Sequence, residues 1–304
     1  MPALAPSFFV SHGTSLHSLD GASALHQALR SAGARALEGG RLRAVVVLSA
    51  HWYSPRGAPV GVGASPTPAT VHDHPSQHVY SFRYPAAGDA ALSARVAALL
   101  AAAGFPAVLE PGRGLDHGAW LALELLLPGA PLPVVPVALP ACDDDAAMLR
   151  FGQALAPLRA EGVLLLCSGA ATHSQSFFRT QLLSRALGWG GDEAATRARR
   201  TALAQAEANV AVDAPWSVAF DAWLSDALAM KQPAERAATL LRHAAAPGAA
   251  LAHPEPSHLL PALVFAGTAG EDTLGSQKVA AGYQYGLSMS AFRFGDAGRQ
   301  VADL

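Results

Sequence analysis

The chain has 304 residues, of which 51% are hydrophobic and only 14% charged, with a formal net charge of −2. That composition buries a substantial core and, with no long Lys/Arg run, excludes nucleic acid as the expected partner. The two cysteines, Cys142 and Cys167, cannot build a disulfide framework. No segment approaches the roughly 20 apolar residues of a membrane helix and the opening residues lack a basic signal-peptide start, so a cytoplasmic location without a membrane partner is expected.

The first predicted element is a strand, "SFFVS" (7–11), followed by a helix over Gly21 to Ala32 and a second strand, "RAVVVLSA" (43–50). Residues 56–87, rich in Pro, Gly, Ser and His, read as a long loop of the kind that is often functional. Helices follow over Asp89 to Ala103, Ala119 to Leu127 and Asp144 to Arg159, the last entered through the acidic run Asp143-Asp144-Asp145. Between them and after them lie the strands "LPVVPVAL" (132–139) and "GVLLLCSG" (162–169). Gly33, Gly104 and Gly162 sit near helix ends, where a left-handed cap favours glycine. The second half adds helices over Glu193 to Val212, Ser217 to Met230 and Ala234 to Ala245, and a last strand at the sheet edge within "AGYQYGLSMSAFRFG" (281–295). Strands that are continuously apolar, without alternation, are covered on both faces. The expectation is one α/β domain over residues 1–304, with a central mixed, largely buried sheet flanked by helices.

Twelve histidines are many for so charge-poor a chain. His12 follows the first strand, His51 the second, and His173 the run ending at Gly169. If these strands are neighbours running in one direction, their carboxyl ends share the edge where open α/β sheets bind ligands. Neutral imidazoles gathered there suit a divalent transition metal, while each alone is as readily a hydrogen-bonded structural residue. "GRGLDHGAW" (112–120) adds His117 at a helix start, with Asp116 as a cap or an orienting carboxylate. "AHPEPSH" (252–258) adds His253 and His258, the second stiffened by Pro254 and Pro256. The segment "VHDHPSQHVYSFRYP" (71–85), with His72, His74 and His78, suits a solvent-facing loop or a lid over an aromatic ligand.

Taken in order, "SHG", "SAHW", "HDHP", "GLDHGAW", "SGAATHS" and "HLLPALVFAGTAG" resemble the extradiol ring-opening dioxygenases of the DOPA-dioxygenase type, in the protocatechuate 4,5-dioxygenase-like superfamily. The resemblance spans roughly residues 7 to 295. It implies a mononuclear metal site, with His12, His51 and His258 as ligands and His173 as a further ligand or a neighbour of the site. It implies His117 as the acid/base for the substrate hydroxyl. The better-studied two-subunit relatives use two histidines and a glutamate; here the third position is His258, with Glu255 the nearest carboxylate. Fe(II) is the ion expected for activity, and Zn(II) also suits an all-histidine set. The implied substrates are a small aromatic diol and O2. Trp52, Tyr80 and Phe82 are candidates at the mouth, and Arg83 is placed either to meet a substrate carboxylate or to pair with Asp73 or Asp89; an oligomer is compatible with the sequence. Two other readings stay open: a zinc hydrolase and a non-catalytic metal-binding relative.

Overall fold

Every residue of β1 (Ser7–Ser11) is buried, and the reason lies in its neighbours. On one side it pairs in parallel with β6 (Val163–Gly169), on the other antiparallel with β10 (Ala291–Phe294). The computed structural model describes residues 4–13, 23–38, 40–73, 81–142, 144–175, 214–270 and 273–295. Among these, β2 (Ala44–Ser54), β3 (Val60–Gly63), β4 (Ala107–Glu110), β5 (Val134–Pro140) and β7 (Gln277–Ala280) complete one eight-stranded sheet. Its order is β4-β3-β5-β2-β6-β1-β10-β7. β5, β2, β6 and β1 run in one direction, while β3 and β10 pair antiparallel to that block. The sheet is therefore mixed, and the expected edge-sharing of β1, β6 and β2 holds.

Alternate residues of the central strands feed two apolar layers. Phe9, Val46, Leu48, Leu165 and Cys167 face helices α2 (Ala90–Ala102), α4 (Asp145–Leu155), α5 (Pro215–Ala229), α6 (Pro233–Leu240), α7 (Ala249–Ala252) and α8 (Leu260–Thr268). Phe8, Val10, Val45, Val47, Leu164 and Leu166 face α1 (Ala24–Leu37) and α3 (His117–Leu126). With both faces covered, the strands need no polar alternation.

Caps set the helix starts. The Ser23 hydroxyl accepts the His26 N–H, so α1 begins at Ala24. Asp144 caps α4, and Asp116 starts α3 at His117, earlier than the apolar pattern alone suggests. Three expectations are corrected. The 56–87 stretch contains strand β3, whose "VGVG" is too short and glycine-rich to be read as one. Residues 281–295 hold a small hairpin, β8 (Tyr283–Gln284) with β9 (Leu287–Ser288), and then β10, which lies inside the sheet between β1 and β7 rather than at its edge. Gly33 lies within α1, where a Cβ would stand 1.6 Å from the Leu126 carbonyl oxygen, so it serves helix contact and not a cap. Gly104 and Gly162 do take left-handed conformations, with φ of +85° and +77°. The helix expected over Glu193 to Val212 lies outside the described residues. Among the described residues no helix is long and apolar enough to cross a membrane.

Candidate metal centre

His12 leaves β1 while still tied to β6, its backbone N–H donating to the Gly169 carbonyl at 3.1 Å. His51 is placed differently from the expectation: β2 continues to Ser54, so the histidine lies within the strand. The pairing with β6 ends at Ser49, and the register with β5 shifts between Leu48 and Tyr53. Such irregularities re-aim side chains beside active sites. His258 closes a short 3-10 turn, Pro256–His258, just ahead of α8. That turn is pinned from β2, where the Tyr53 hydroxyl donates to the Ser257 carbonyl at 2.6 Å. One irregular strand end thus carries one histidine and anchors another.

The three rings meet. His51 Nε2 lies 3.1 Å from His12 Nε2 and 3.2 Å from His258 Nε2. His117 joins them from the first turn of α3, its ring centroid 3.9 Å from that of His51. The ligand atoms of His12, His51 and His117 all fall within 4.8 Å of one another. His173 stacks face to face on His258, with centroids 3.6 Å apart and planes 4° from parallel. All five predicted histidines therefore gather at the carboxyl edge of β1, β2 and β6.

Hydrogen bonds at Nδ1 orient several of the rings. The Ser168 hydroxyl donates to the Gly118 carbonyl at 2.6 Å, so its oxygen accepts from His12 Nδ1 at 3.0 Å. Behind His258 the same device recurs: the Ser257 hydroxyl is committed to Glu255, and its oxygen faces His258 Nδ1 at 3.2 Å. Glu255 is thus one step removed from the cluster rather than in it. His117 Nδ1 faces a carboxylate oxygen of Asp73 at 2.9 Å. For His12 this places the ring proton on Nδ1 and leaves Nε2 facing His51; the Ser257 oxygen favours the same arrangement in His258. Burial, then the neighbouring rings, hold His12 and His258 well below the usual histidine range, and burial lowers His173. Three imidazoles whose Nε2 atoms converge at 3.1–3.2 Å, two of them buried and held neutral, fit a divalent cation.

Gly118 is where the site tolerates no side chain. A Cβ there would stand 2.5 Å from Ser49 Oγ, 2.8 Å from His51 Cδ2 and 3.3 Å from His12 Cε1. We expect Gly118→Ala to spread His12 and His51 and to weaken metal binding by about 10- to 100-fold, measured by chelator competition. An unchanged affinity would refute this close packing.

Around the cluster, Trp52 is half-buried beneath the Arg113 guanidinium, 4.2 Å from its ring centroid. Phe82 stacks on the buried Trp120, and Arg83 donates to His72 Nε2 at 2.6 Å. Tyr80, His74 and His78 lie outside the described residues. His253 stands apart from the cluster, donating from Nε2 to the Ala171 carbonyl at 3.0 Å. Asp116 is a cap, accepting from Ala119 N–H at 3.0 Å and from the Ser49 hydroxyl at 2.6 Å. The carboxylate on the His117 ring is Asp73, which sequence reading placed only near Arg83.

Comparison with known proteins agrees with this geometry. Residues 6–295 match the family model described as the catalytic LigB subunit of aromatic ring-opening dioxygenase. A Beta vulgaris protein named 4,5-DOPA dioxygenase extradiol is 33% identical over 268 residues, 88% of each chain. A protein of the same name from Escherichia coli (strain K12) is 31% identical, over 86% of this chain and 84% of its own. The crystal structure of an uncharacterised Escherichia coli K12 protein superposes with a TM-score of 0.69 at 26% identity, covering 96% of this chain and 100% of that one.

Proposed function

The chain belongs to the LigB family of extradiol aromatic ring-opening dioxygenases, and from that premise we propose that it cleaves a catechol with a DOPA-like side chain, adding both atoms of O2. The activity resides in one catalytic domain over residues 1–304, and Fe(II) is the working ion. The observation that carries this reading is the convergence of His12, His51 and His258 through their Nε2 atoms. These three would hold the metal, which supplies a redox-active centre with open positions for diol and O2 that Zn(II), having no redox chemistry, does not offer.

The chain's own residues do the rest. His117, beside His51 and held at Nδ1 by Asp73, takes the proton of a catechol hydroxyl at Nε2 and returns it as the ring opens. His173 serves beside the metal rather than on it. Its ring stacks face to face on that of His258, 3.6 Å between centroids, so it would stand as a neighbour of the ligand set. Its place beside the ligands suits a hydrogen bond to the reacting oxygens. Trp52, propped by Arg113, offers an apolar face for the aromatic ring.

The test is anaerobic reconstitution with Fe(II) or Zn(II), followed by oxygen uptake with a panel of catechols that includes DOPA. Yellow ring-opened product and matching oxygen consumption with iron alone are expected. Ester hydrolysis by the zinc form without oxygen uptake overturns the proposal in favour of a hydrolase. Metal binding without either reaction overturns it in favour of a non-catalytic protein.

A further inference from the structure

His117 is held from outside its own helix. Its ring Nδ1 and its backbone N–H each lie 2.9 Å from the same oxygen of Asp73, 44 residues earlier in the chain. We propose that Asp73 is the positioning residue of His117, locking the imidazole as the Nδ1–H tautomer with Nε2 turned to the histidine cluster; its part in turnover rests on the ring-cleavage reading above.

The place of Asp73 is built, not incidental. Val71 N–H donates to the Leu115 carbonyl at 2.7 Å, and Leu115 N–H donates back to the Ala69 carbonyl at 2.8 Å. Trp120 Nε1 donates to the Val71 carbonyl at 3.1 Å. The segment leading into Asp73 is therefore fastened to Leu115 and Trp120, on either side of His117 in the chain. The nearer carboxylate in sequence, Asp116, is otherwise engaged: one oxygen takes Ser49 and Ala119, the other Arg113 at 2.6 Å.

Asp73 is also kept charged. Partial burial alone would raise its carboxyl, but the hydrogen bonds it accepts from the ring and backbone N–H of His117 bring it down to about 2. An ionised carboxylate only accepts, so it admits a single tautomer of its partner. The amide of an asparagine could instead donate to Nδ1 and stabilise the Nε2–H form, which has no lone pair to take a substrate proton.

The test uses 15N-histidine-labelled full-length protein before metal loading, read by two-bond 1H–15N spectra, with His117 assigned through His117→Gln. The wild type should give the Nδ1–H signature at His117. Asp73→Asn and Asp73→Ala should move that signal towards the Nε2–H or averaged pattern. In iron-loaded enzyme they should lower kcat by about 10- to 100-fold while the catechol KM changes little. An Nδ1–H signature retained in both variants overturns the proposal, and a shifted tautomer with unchanged kcat overturns the role in turnover. If the wild type cleaves no catechol, the ring-cleavage reading fails on its own, and the tautomer shift still decides the role of Asp73 in orienting His117.

Discussion

Replacing His51 by alanine should leave a folded protein that holds no iron and consumes no oxygen. His51 is the hub of the cluster: its Nε2 is within 3.2 Å of two other imidazole nitrogens, and its ring lies against His117. Losing a hydrogen-bonding partner behind a ligand typically costs about 10- to 100-fold in metal affinity or activity. Losing the imidazole from the middle of the set removes a bond to the metal itself, so the effect should be far larger than that. The fold should survive, because β2 is anchored upstream by Val45, Val46, Val47 and Leu48, all at most 1% exposed. His51 is already half-exposed at the strand's irregular end. The measurement is metal content after anaerobic iron loading, with His253→Ala as the control that should keep its metal. A His51→Ala protein that binds iron stoichiometrically with unchanged affinity would remove the ring from the metal set.

The histidines could be found in the sequence because each stands where an apolar run stops. "SFFVS" and "VVVLSA" are strands for the plain reason that they are apolar enough to be buried on both faces, and the residue after such a run emerges at the sheet edge. The emerging histidines do lie at that edge, but β2 does not stop where its apolarity stops, so His51 lies within the strand. The strand instead continues through a register shift against β5, and pairing of that kind depends on a partner chain segment some 90 positions away. Asp73 was illegible for a related reason. It sits on an irregular stretch with no periodicity, and only the three-dimensional fastening of residues 69–71 to Leu115 brings it to His117. Ser168 and Ser257 read as ordinary small polar residues until their hydroxyl protons are traced to Gly118 and Glu255. The short edge strands β4 and β7 escaped notice because four residues such as "AVLE", largely exposed at an edge, carry neither an apolar run nor a clean alternation.

His117→Ala should give the opposite phenotype to His51→Ala: metal retained and turnover lowered by about 10²- to 10⁴-fold, the usual worth of a positioned acid/base. Distances alone do not separate His117 from His258, since the ligand atoms of His12, His51 and His117 also lie within 4.8 Å of one another. What separates them is the group behind each ring. His258 has a neutral serine at Nδ1, while His117 has the ionised carboxylate of Asp73. An ionised carboxylate behind the ring fixes the orientation of an imidazole that gives and takes a proton, which is the part asked of His117. The same carboxylate could equally steady a ligand, so the pair of variants must be measured together. Iron lost in His258→Ala and kept in His117→Ala, with the rate falling in both, is the expected pattern. Iron lost in His117→Ala and kept in His258→Ala would exchange the two roles, making His117 the third ligand and leaving the proton to another group.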